Sequence, residues 1–99
     1  MPSNSPQSLT EIRSLIDALD VELVDLLAQR QRLVRAAAGF KADERAVRAP
    51  DRAERVIAAA RARAETAGLA PEVADAVWRA MVGAFIDLEL TEHRGTTAP

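Results

Sequence analysis

Cysteine and tyrosine are absent from the 99 residues, and the aromatic set is one tryptophan and two phenylalanines. Without cysteine there is no disulfide framework and no thiolate chemistry. The single histidine, His93, has no second histidine and no cysteine to join it, which argues against a metal site. Neither a Ser–His–Asp arrangement nor a glycine-rich phosphate loop can be placed. Only four glycines and five prolines are present, most of them near the ends or between helical runs. No segment alternates apolar and polar residues over a strand's length, so no sheet is expected. No apolar run approaches the about 20 residues that span a bilayer. The stretch Met1 to Gln7 is polar and lacks the hydrophobic region of a signal peptide, so a cytoplasmic location is expected. Nor is there a basic excess. The formal net charge is -2, which argues against a general nucleic-acid binder.

What is present is helical. Hydrophobic residues make up 48% of the chain, mostly Ala, Leu and Val, and charged residues 28%. This is the composition of one small all-α domain. Ser8-Leu9-Thr10-Glu11 fits a capping box. The pattern then predicts a helix from residue 8 to about Lys41 or Ala42, tolerating Gly39. Asp43 to Ala49 reads as a polar connection. Pro50 suits the first turn of a second helix that runs to about Ala67, with Gly68 as its terminator. Pro71 opens a third helix that runs to about Glu92 or Arg94, with the apolar face Val73, Val77, Trp78, Met81, Val82, Phe85 and Leu88. Residues 1–7 and 95–99 read as frayed tails flanking a domain at 8–94.

A first helix of roughly 34 residues would be about 50 Å long, whereas a compact chain of this size is about 30 Å across. Its apolar stripe is therefore best covered by a second copy, in an intertwined dimer of three-helix chains. The alternative is a helix broken near Gly39 in a monomeric bundle.

Two cations interrupt that stripe. From Ile16 the apolar positions step by three and four through Leu19, Leu23, Leu26, Leu27, Leu33, Val34 and Ala37, and the same stepping lands on Arg30 and Lys41. A cation in a core-facing stripe is costly unless it is paired and hydrogen-bonded. On a continuous helix the two lie about 16 Å apart at nearly one angular position. They could hold the two ends of a small anion, the arginine gripping a carboxylate and the lysine a single oxygen. The plainer reading is snorkelling, with the stems on apolar surface and the charges in water.

Three further residues gain meaning in that company. Arg13, near the start of the first helix, is by itself an ordinary surface arginine. In an antiparallel pair of long helices it would approach the far end of the partner's helix and could complete a shared site. Arg52 sits in the first turn of the second helix, against the dipole, where an anion at the same N-terminus would favour it. The plainer reading is a solvated charge among Arg45, Arg48 and Arg55. Glu89 continues the line Trp78, Val82, Phe85 on the third helix. It could be a salt-bridge partner for Arg30 or a buried acid that meets a ligand.

Taken together, residues 9 to 94 resemble the all-α class of chorismate mutases. The motifs are Ile12-Arg13-Ser14-Leu15-Ile16-Asp17-Ala18-Leu19-Asp20, Leu26-Leu27-Ala28-Gln29-Arg30, Phe40-Lys41 and Ala49-Pro50-Asp51-Arg52. Within the class, Phe40-Lys41-Ala42 followed by Ala49-Pro50-Asp51-Arg52 looks most like the isochorismate-pyruvate lyase branch. The resemblance implies an intertwined homodimer with two sites, each built from both chains, acting on a small dicarboxylate without cofactor or metal. It implies that Arg13 reaches across from the partner chain to one substrate carboxylate, that Arg30 holds the other, and that Lys41 binds the ether oxygen where negative charge grows. Arg52 matches the family's arginine of the second helix. Glu89 falls where the family usually has a glutamine that contacts the ether oxygen, and a glutamate there must be protonated to donate. Two departures stand out. Ala53 follows Arg52 where many mutases place an acid that reads the ring hydroxyl, and Ala49 replaces an aspartate.

The expected activity is the rearrangement of chorismate to prephenate. Arg13 and Arg30 would clamp the reactive conformer, and Lys41 with protonated Glu89 would stabilise charge on the breaking C–O bond. The alternatives are isochorismate-pyruvate lyase activity, which Ala53 favours, and a non-catalytic helical dimer that binds a ligand or a partner helix.

Overall fold

Ser8 starts the first helix as the capping pattern predicts, its Oγ accepting from the Glu11 N–H at 3.1 Å. The Glu11 carboxylate reaches back to the backbone N–H of Gln7, one residue beyond the expected partner. In this computed structural model, which describes residues 7–97, the helix is α1, Leu9–Ala38. It is followed by α2 at Glu44–Arg48, α3 at Pro50–Ala67 and α4 at Pro71–Thr97. The fold is all-α, and no strand occurs among the described residues. The expected three long helices are present, with one short helix added.

Two boundaries differ from the sequence expectation. The first helix stops at Ala38, before Lys41. Phe40 N–H bonds Ala37 O at 3.0 Å and Lys41 N–H bonds Ala38 O at 3.1 Å, so the last carbonyls are taken by bonds of the tighter three-residue kind. Asp43 then supplies a competing start. Its backbone is extended and its side chain accepts from the Ala46 N–H at 2.9 Å, which caps α2 within the predicted connection. At the other end α4 continues to Thr97, so residues 95–97 are helical rather than part of a tail. The expected tail residues 1–6 and 98–99 lie outside the described residues.

The second and third predicted helices begin and end on the signals read for them. Pro50 and Pro71 open α3 and α4. Gly68 ends α3 at φ 80°, and the N–H groups of Gly68 and Leu69 both reach Ala64 O.

The chain divides into two compact units, residues 1–33 and 34–99. In the first, α1 turns no side chain fully inward. Leu15, Leu19, Leu23 and Leu26 are each more than half exposed. In the second, α3 packs on α4, and α2 also packs on α4. Val47, Ile57, Ala64, Ala74 and Leu90 are buried there, so small residues set a close approach between α3 and α4. Trp78, Met81, Val82, Phe85 and Leu88 are half-buried. A chain of ion pairs ties the outer edge of the α3–α4 pair. Arg61 bonds Asp75 at 3.2 Å, Asp75 bonds Arg79 at 3.2 Å, and Arg79 bonds Glu54 at 3.0 Å. The Arg79 hydrogen bond holds the Asp75 carboxyl below its ordinary value.

Ala49 joins α2 to α3 in the left-handed region, at φ 31° and ψ 63°, and makes no side-chain cap. This conformation costs an L-residue about 1 kcal/mol or more. Ala49→Gly removes that cost while adding freedom to the unfolded chain. The expected net gain is about 0.5 kcal/mol, read as a melting temperature raised by about 3 °C. A lower melting temperature would show that the Ala49 methyl packs more favourably than the strain it carries.

Candidate functional site

The early end of α1 changes what Lys41 does. On a continuous helix it would share a face with Arg30. Released from the helix by the turn at Gly39 and Phe40, it instead reaches α4. Its Nζ donates to both carboxylate oxygens of Glu89, at 3.1 Å to Oε1 and 2.9 Å to Oε2. The Glu89 side chain is only 5% exposed and that of Lys41 28%. Glu89 is the one buried charged residue among the described residues. A carboxylate so placed is costly without a cation, and Lys41 is that cation.

The sequence reading expects Glu89 as a protonated donor. The structure pairs it directly with Lys41, whose ammonium reaches both of its oxygens. Lys41 has three N–H donors and uses two on Glu89, so one remains for an acceptor such as an ether oxygen.

The other candidates are placed as follows. Arg13 is exposed near the start of α1, and Arg30 is half-buried on the same helix; both belong to the 1–33 unit. Lys41, Arg52 and Glu89 belong to the 34–99 unit. Within that unit the structure joins Lys41 to Glu89 and leaves Arg52 apart from them, exposed in the first turn of α3. Arg52 lines a groove of about 600 Å³ along α3, together with Arg55, Arg63, Trp78 and a floor of alanines that includes Ala59, Ala60 and Ala64.

Sequence reasoning does not find the groups that surround the pair. Arg35 Nε bonds Glu92 Oε1 at 2.7 Å, and Arg94 Nε bonds Glu44 Oε1 at 2.5 Å. Lys41 therefore stands between two further ion pairs that cross to the same end of α4. A partial signal exists, since Glu89 and Glu92 are three apart and share a helix face, opposite a segment that carries Arg35 and Lys41. No group of three or more side chains suited to a metal ion occurs among the described residues. No described helix is long and apolar enough to cross a membrane.

Residues 12–90 match the family described as chorismate mutase type II, so the chain belongs to that family of all-α enzymes. It is also similar to a protein of Pseudomonas aeruginosa named isochorismate pyruvate lyase. The two are 31% identical over 88 residues, which covers 89% of this chain and 87% of the relative. An enzyme of chorismate mutase type is thereby defined.

The Lys41–Glu89 pair predicts an asymmetric response to mutation. Lys41→Met leaves the Glu89 charge buried and unpaired, which destabilises by about 2 kcal/mol once the partial exposure of Lys41 is discounted. Glu89→Gln removes the buried charge and leaves a polar partner for the more exposed lysine, at about 1 kcal/mol or less. Denaturant midpoints of the two variants measure this. A Lys41→Met variant as stable as the parent would contradict the pairing.

Proposed function

We propose that this chain catalyses the cofactor-free rearrangement of chorismate to prephenate, with Lys41 as the cation that meets the ether oxygen. In that reaction a C–O bond breaks as a C–C bond forms, and no atom is gained or lost. The enzyme has only to hold the folded conformer and to stabilise the charge that grows on oxygen. Arg13 and Arg30 take the two carboxylates, and Arg52 adds positive potential. The observation that carries the reading is the Lys41 ammonium held at the end of α4 by a buried carboxylate.

Glu89 sits on the same ether oxygen as a second donor when it carries a proton. While ionised it competes for the Lys41 charge. Glu89→Gln, which donates an N–H without needing a proton, should supply that second donor and raise kcat/KM several-fold. A Glu89→Gln variant that loses activity would leave Glu89 as a counter-ion alone.

A second reading has its own support. The relative named isochorismate pyruvate lyase and the alanine at position 53 both favour elimination of pyruvate from isochorismate, giving salicylate. Incubation with chorismate and, separately, with isochorismate decides between them, because only the lyase releases pyruvate. Prephenate from chorismate supports the first reading. Turnover of neither substrate, with the fold intact, would support a binding role and overturn both.

The working form is an intertwined homodimer with each site shared between chains. Two surfaces support this. The exposed leucine stripe of α1 is flanked by Glu11, Asp17, Asp20, Glu22 and Asp25. The alanine-floored groove on α3 is rimmed by Arg52, Arg55 and Arg63, so a second copy's α1 matches it in both apolarity and charge. Arg13→Ala and Lys41→Ala should each be inactive alone. Refolded together they should recover about a quarter of the parent's activity, since half the dimers are mixed and each mixed dimer holds one intact site. No recovery on mixing would place Arg13 and Lys41 in the same chain's site.

A further inference from the structure

Lys41 is not on a helix. Residues 41 and 42 have no regular structure and link the turn after α1 to the cap of α2. Such a segment holds a side chain in place only if something fixes both of its ends. The upstream end is tied by Arg35 to Glu92. The downstream end is tied by Glu44, in the first turn of α2, to Arg94. Both ties reach the stretch of α4 that carries Glu89, so one short piece of helix receives all three bonds. α2 also packs on α4, where Val47 and Leu90 are buried.

The Glu44–Arg94 contact is a specific one. The Arg94 hydrogen bond holds the Glu44 carboxyl below its ordinary value, and the same bond raises Arg94. Both side chains are more than two-fifths exposed, and exposed ion pairs add little to global stability. The bond's effect is therefore expected on where α2 sits rather than on whether the chain folds.

We propose that Glu44 and Arg94 are a positioning pair for Lys41, fixing α2 to the end of α4 and thereby setting where the ammonium stands beside Glu89. The proposal rests on the reading of Lys41 as the charge that meets the ether oxygen. Neither residue is given a contact with substrate. They act through the Lys41 segment, and a displacement of an ångström there is enough to weaken an interaction made in the transition state.

The test uses Glu44→Gln, Arg94→Gln and the exchanged pair Glu44→Arg with Arg94→Glu in the full chain. Each single variant should lower kcat about 10-fold while KM stays within about twofold, because Lys41 acts on the transition state more than on binding. The melting temperature should move by no more than about 2 °C. Amide exchange of residues 40–48 should rise in the single variants. The exchanged pair should restore both kcat and the slow exchange. Unchanged exchange and kcat in Arg94→Gln would overturn the pair, as would a loss that follows the melting temperature and is not recovered by the exchange. Lys41→Met separates the two levels. If it keeps full activity, the role of Lys41 fails whatever Arg94 does. If it is inactive while Arg94→Gln is unchanged, only the positioning pair fails.

Discussion

A carboxylate almost sealed from water at the end of α4 is the constraint on which the candidate site depends. Glu89 is 5% exposed on its side chain and still carries two acceptor oxygens. Left alone it would cost several kcal/mol, more than a domain of this size could easily tolerate. Asp87 and Glu92, nearby on the same helix, are also acids, and the bonds to its two oxygens come from Lys41. The cation arrives from a chain segment 48 residues earlier, and its arrival requires α1 to stop at Ala38 rather than continue. The end of a helix, the cap on Asp43 and the placement of one ammonium are thus parts of one arrangement.

The same arrangement suits the chemistry of the family. A pericyclic reaction needs no nucleophile, metal or redox group from the protein, and a chain without cysteine and with one histidine has little of that kind to offer. It needs cations held where charge grows. A lysine on a flexible stem is a poor catalyst unless its position is set, and here the neighbouring pairs Arg35–Glu92 and Glu44–Arg94 restrict the segment on either side. The buried acid gives the cation its place, with both of its oxygens in reach of the Lys41 ammonium.

Local signals carry most of the fold. The capping serine, the two opening prolines and Gly68 each act within a few residues of the chain, and the helices begin or end where these residues sit. The end of α1 is harder to read, because Gly39 is tolerated in a helix and the stop depends on how the carbonyls of Ala37 and Ala38 find partners. The short helix α2 hides in a polar stretch for a related reason, its only clear mark being Asp43. Arg30 and Lys41 do emerge as cations needing an anion. The identity of the anion for Lys41 depends on tertiary packing that joins positions 41 and 89, and no local pattern encodes that distance. Glu44 and Arg94 escape the sequence altogether, since an exposed acid and an exposed base are ordinary on any helix surface.

The measurement closest to the central claim follows the Lys41 ammonium itself. With lysine labelled with nitrogen-15, its side-chain signal can be recorded while a non-reacting ether dicarboxylate is added. The account predicts a saturable shift of the Lys41 signal that tracks binding and is altered in Glu89→Gln. Saturable binding of the ether dicarboxylate with the Lys41 signal unmoved would contradict it.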